Sequence, residues 1–136
     1  MEAVNHKELI QDQLGELSIR QLKALLCLNM LQTMAARQQT VTYETLAIML
    51  GLPSRGNALA QAISPVLYDV FNFCVEAKLP HLTVLVVRKS GRDMNLPGPG
   101  FWKVFAPDQV LSIEDKVSMT EEETVKCFRL FEKLGA

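Results

Sequence analysis

No pair of cysteines in this chain has the spacing of a metal site or a redox motif. The three present, Cys27, Cys74 and Cys127, are far apart and odd in number, and no CxxC occurs. That gives neither a disulfide framework nor a zinc site, and no metal is expected. Each sits among apolar neighbours and reads as a small core residue. P-loop, GxSxG, HExxH and dinucleotide fingerprints are all missing, so neither an enzyme nor a cofactor is expected. No run of eighteen apolar residues exists, and the polar start MEAVNHKELIQDQ has no signal-peptide core. A transmembrane helix and membrane association are therefore not expected, and the default location is the cytoplasm. Charge of one sign is lacking too. The 14 Lys and Arg face 15 Asp and Glu, for a net charge of −1. A tight DNA binder carries a strong basic footprint, and this one is weak.

What is present is apolar sequence in ordered periods. At 136 residues and 49% hydrophobic, the chain suits one domain with a real core. Residues 1–40 read as N-terminal helices, 41–105 as a helix-turn-helix and wing, and 106–136 as an acidic linker and C-terminal helix. The middle part is mildly basic and the last part acidic. Residues 6–16 place Leu9, Ile10 and Leu14 at helical spacing. A stronger helix begins at Ser18 and ends near Arg37, with Leu22, Leu25, Leu26, Met30 and Met34 among its apolar residues.

The stretch VTYETLAIMLGLPSRGNALAQAI, residues 41–63, reads as a helix-turn-helix. Thr42 caps the first helix, Gly51 ends it and Pro53 stops it from continuing. The second helix starts near Ser54 to Asn57. Pro65 is expected to break it, with one helix ending near Ser64 and another beginning there and stopping before Pro80. Next, the β-branched run 82–87 reads as a buried strand, KSGRDMNLPGPG (89–100) as a long turn, and FWKVF (101–105) as the returning strand. Trp102 is expected in the core, or else exposed as an interface anchor or a platform for a base. Helices followed by a hairpin give an α+β fold: a winged helix-turn-helix with a two-stranded wing and extra N- and C-terminal helices. Thr120 and Glu123 have capping-box spacing at the start of the last helix. Its stripe of Val125, Phe128, Phe131 and Leu134 is expected to cover the domain's own surface or to form an interface with a second copy or a partner.

Val41, Thr42, Tyr43, Leu46, Ala47, Gly51, Pro53, Ala58, Ala60 and Ala62 resemble the winged-helix domain of the alkylguanine-DNA alkyltransferases and their catalytically dead alkyltransferase-like relatives. The resemblance implies a winged helix and DNA as partner. It implies for Tyr43 a part in rotating a damaged nucleotide out of the duplex. The family's recognition-helix arginine falls on Asn57, and Arg55 is the nearest substitute. Where a Pro-Cys-His-Arg motif belongs, this chain has LPHLTVLVVRKSG, so the alkyl-accepting activity is not carried over. The LPHLTVLVV and LPGPGF stretches also look like those of small prokaryotic and phage-related proteins.

The expected function is therefore non-catalytic nucleic-acid binding, DNA rather than RNA. Ser54, Arg55, Asn57 and Gln61 would contact bases or phosphates from the start of the recognition helix, Tyr43 would lie near the backbone, and Lys89, Arg92 and Lys103 would hold phosphates from the wing. The alternative is a protein-interaction module, an adaptor or inhibitor without direct DNA contact. Its support is the near-zero net charge, the acidic tail and the apolar second helix.

Overall fold

A computed structural model describes residues 18–134, with the side chains of Lys133 and Leu134 outside the description. The helix expected at 6–16 lies outside the described residues, as does the Leu134 side chain.

Helix α1 (Ile19–Ala36) starts where the sequence places it. The Gln21 amide donates to Ser18 Oγ at 3.1 Å, and the Ser18 amide donates to Gln21 Oε1 at 2.7 Å. This reciprocal cap satisfies two amides that a helix start leaves open. Strand β1 (Val41–Thr42) leads directly into α2 (Tyr43–Met49), whose first turn is capped by Thr42 Oγ1 accepting from the Thr45 amide at 3.2 Å. Gly51 takes φ +70°, and Pro53 follows. This left-handed turn ends α2 as expected.

Helix α3 (Gly56–Glu76) runs unbroken through Pro65. The expectation of two helices here fails for a local reason. Proline removes one amide bond, to the carbonyl of Gln61. Gln61 is exposed and both residues line a groove open to solvent, so that carbonyl can be hydrated. The helix is carried past the gap by burial of Val66, Val70, Phe71 and Cys74. By length and composition alone α3 is also apolar enough to cross a membrane, with a mean hydropathy of 1.3. In this fold its buried stripe packs on α1.

The two-stranded wing does not form. Leu82–Leu85 is a 3-10 turn and only Val86–Val87 is strand, β2. β2 pairs in parallel with β1, Val41 opposite Val86 and Thr42 opposite Val87. Residues 99–105 are a helix, α4 (Pro99–Phe105). The winged helix is therefore corrected to a mainly helical fold with one short parallel pair. Two physical reasons account for the difference. Apolar runs of this length do not distinguish a strand from a buried helical turn, and every residue from Leu82 to Val87 is buried, the turn 82–85 among α1, α3 and the last helix and Val86–Val87 against β1 and α2. In PGPGFWKVF, Pro99 takes the first helical position, where its missing N–H costs nothing. The ring pair Phe101 and Phe105, one helical turn apart, then stacks at 4.9 Å. The turn between still closes on itself, with the Arg88 amide donating to the Leu96 carbonyl and the Asn95 amide to the Arg88 carbonyl.

The last helix, α5 (Ile113–Leu134), begins seven residues before Thr120. Its cap is Ser112 with Asp115, whose amides and side chains exchange hydrogen bonds of 3.1 and 3.2 Å. Thr120 lies inside the helix. Glu123 is buried, and its Oε1 accepts from the His81 amide at 3.1 Å. Cys27, Cys74, Cys127 and Trp102 are all buried, as the sequence suggests. Phe128 and Phe131 are half-buried against the domain's own core, while Val125 is exposed.

Candidate binding groove

A groove of about 860 Å³ opens between α3, α4 and the start of α2. Its floor is made of buried residues, Ile63, Phe71, Thr83 and Phe101, and its walls of Leu59, Leu67 and Val104. This volume lies within the range of ordinary ligand sites, which combine apolar lining with a few placed polar groups.

Tyr43 fixes the join between α2 and α4. The Gly98 amide donates to its phenol oxygen at 2.8 Å. A Cβ at Gly98 would stand 3.3 Å from that oxygen, so glycine lets the two segments approach this closely. Burial pushes the Tyr43 pKa up, against the Gly98 hydrogen bond, which lowers it. The phenol thus stays protonated near neutrality, and since it accepts from Gly98, its own proton is free to donate into the groove.

Two further polar atoms lining the groove have no partner among the described residues. They are Thr83 Oγ1, on a residue only 5% exposed, and Glu44 Oε2. An unmet buried polar atom costs about 1–3 kcal/mol, which a ligand could recover.

The rim is cationic. Arg20 forms a two-pronged pair with Asp69 at 2.8 and 2.9 Å, and Arg88 reaches Asp93 at 3.1 Å. Lys89 and Lys103 also line the groove and have no ion pair among the described residues. Glu44 is the acidic residue of the lining.

Four residues expected at a site from sequence meet here: Tyr43, Gln61, Lys89 and Lys103. The others do not line the groove. Ser54 is half-buried in the α2–α3 turn, Arg55 and Asn57 are exposed at the start of α3, and Arg92 is exposed in the 88–96 turn. Arg55 precedes α3 without capping it through its side chain. Sequence reasoning missed Thr83 and Glu44. Thr83 carried a usable signal, because it is the sole hydroxyl in the apolar run LTVLVV. Glu44 carried none, since a charge in a first helical turn is ordinarily solvated.

The thiols are poorly placed for nucleophilic chemistry. Burial pushes the Cys27 and Cys127 pKa values up to about 12 and raises that of Cys74. A thiol, unlike a thiolate, is a weak nucleophile. His81 stacks on Phe71 at 4.5 Å and meets the Phe105 edge at 5.3 Å. Burial lowers its pKa, with Glu123 opposing and Lys126 adding to the fall. Among the described residues, no group of three or more His, Cys, Asp or Glu side chains could hold a metal ion. The chain matches no family model, no curated protein and no solved structure.

Proposed function

We propose that this protein is a non-catalytic protein-interaction module whose groove receives an amphipathic, acidic segment of a partner. One observation carries the reading: apolar walls meet a rim on which Lys89 and Lys103 have no ion pair among the described residues. An apolar stripe on the partner would cover Leu59, Leu67 and Val104. Its carboxylates would meet the two lysines, and a backbone or side-chain polar group would pair with Thr83 Oγ1. Three free buried thiols fit a reducing, cytoplasmic setting.

The probe is a synthetic amphipathic helical peptide of Leu and Glu, compared with its Lys-for-Glu counterpart. In an amide-shift titration, the acidic peptide moves Gln61, Thr83 and Lys103, and the basic one does not. Lys89→Glu with Lys103→Glu reverses the preference. Equal response to both peptides, or no response, ends this reading.

A second reading, DNA binding, is favoured by the exposed Arg55 and Asn57 at the start of a helix that follows a tight turn. Its test is duplex and single-stranded DNA titrated at several salt concentrations. Phosphate contacts give an affinity that falls steeply with salt, and Arg55→Ala would weaken it. Absence of binding at low salt ends that reading.

A further inference from the structure

We infer that the floor of the groove is an anchor site for one tryptophan of the partner, its indole ring covering Phe71 and Phe101 and its N–H donating to Thr83 Oγ1. This rests on the reading of the groove as a protein-binding site.

Thr83 carries it. The residue is 5% exposed, and its neighbours Leu82, Val84 and Leu85 are fully buried. Its Oγ1 has no hydrogen-bond partner among the described residues. Valine has nearly the same shape and no group to desolvate, so the fold gains nothing from the hydroxyl. Thr83 also lines the groove. A hydroxyl that the fold leaves unmet, at the floor of an open site, has its lone pairs free for a ligand. Glu44 Oε2 is unmet as well, but on a residue only half-buried, so Thr83 is the deeper of the two.

The surroundings decide what can reach it. Phe71 and Phe101 both line the groove and meet edge-on, with ring centroids 6.3 Å apart. Phe71 also stacks on His81 and Phe101 on Phe105, so neither ring swings aside without breaking a second contact. The floor is thus a braced aromatic surface with one hydroxyl. An aliphatic anchor would cover the rings and leave the hydroxyl unmet. A Ser, Asn or Gln would meet the hydroxyl and leave the rings wet. An aromatic side chain with a polar tip does both. Indole suits the floor better than phenol. Its N–H is a donor only, whereas a phenol oxygen would bring lone pairs of its own into an apolar setting.

The test uses the full chain and its Thr83→Val variant. The probe is the acidic Leu/Glu peptide with one central Leu replaced by Trp. Its comparators carry Tyr, or benzothienylalanine, in which sulfur replaces the indole N–H. With the native chain, the Trp peptide should bind roughly five- to tenfold more tightly than the benzothienyl peptide, the worth of one neutral hydrogen bond. The Phe71, Thr83 and Phe101 amides should shift, and the indole N–H should exchange more slowly with water. In Thr83→Val the difference between the two peptides should vanish. Without any peptide, Thr83→Val should melt no lower than the native chain, because its hydroxyl has no partner to lose. A lower melting temperature overturns the proposal, since it would mean that the hydroxyl is already met. Equal binding of the Trp and benzothienyl peptides, a difference that persists in Thr83→Val, or tighter binding of the Tyr peptide overturns it too. If the acidic peptides still shift the groove amides in those cases, the anchor fails and the groove reading stands. If no peptide shifts them, both fail.

Discussion

The two halves of α3 are similarly apolar and are used differently. Before Pro65 the helix leaves Asn57, Ala58, Ala60, Gln61 and Ser64 exposed and buries Ile63. After it, Val66, Val70, Phe71 and Cys74 are buried. The second half is fixed by α1 and the buried 3-10 turn. The first half lines the groove with Leu59, Ala60, Gln61, Ile63 and Ser64, and Leu67, Tyr68 and Phe71 of the second half continue that lining. One helix thus joins a mostly exposed segment to one that holds the fold and also reaches the groove. Composition alone would not divide them, because burial is set by what packs opposite.

The largest test of this division compares one substitution in each half. Phe71→Ala should cost about 3–5 kcal/mol in denaturant unfolding, since it removes a buried ring that stacks on His81 and meets Phe101 edge-on. Gln61→Ala should stay within about 0.5 kcal/mol and alter only groove binding. Similar costs at the two sites would abolish the comparison.

Pro65→Ala sharpens it. The substitution restores the amide bond to the Gln61 carbonyl and should stabilise by about 1–2 kcal/mol, the helical gain less the greater freedom of the unfolded chain. Hydrogen exchange should slow most at residues 57–64. Destabilisation instead would show that proline packing against the groove outweighs the missing bond.

Arg55→Asp gives a smaller gain. Arg55 has extended backbone angles suited to a cap, φ −138° and ψ 145°, and makes no side-chain cap. An aspartate there should add about 1 kcal/mol. An unchanged melting temperature would mean that the first turn of α3 frays regardless of its cap.

The smallest effect is pH dependence at His81, beside the packed half. Its pKa is lowered by burial, so the unfolded chain takes up the proton first as pH falls. Stability contributed by neutral His81 is whole above about pH 6.5, the ordinary imidazole value. It falls as pH drops from there toward the lowered folded value. Melting curves between pH 7 and 5 should show this loss, and His81→Gln should remove part of it. An identical pH profile in the variant would assign the loss elsewhere.

The elements readable from sequence are those whose signals are local. Ser18, Thr42 and Gly51 fix helix ends through atoms three or four residues away, and α1, α2 and the turn into α3 lie where those residues place them. Residues 82–105 were misread because their structure is set by distant partners. The LTVLVV run owes its 3-10 turn to burial among three helices, and its strand residues pair with β1 rather than with 101–105. Thr120 shows the same limit. Its spacing to Glu123 fits a cap, yet Ser112 and Asp115 take that role, and Glu123 turns to the His81 amide instead. The groove was half legible: Tyr43, Gln61, Lys89 and Lys103 stood out by type, but nothing local says that they converge.

The bond between Tyr43 and Gly98 joins residues 55 apart, and that between Arg20 and Asp69 joins residues 49 apart. Closing such loops costs chain entropy before any contact offsets it, so structures of this kind assemble late and slowly. The helix caps need no such closure. During synthesis α1 and α2 can therefore coil while the groove does not yet exist, and its last lysine, Lys103, must leave the ribosome before any partner finds a complete site.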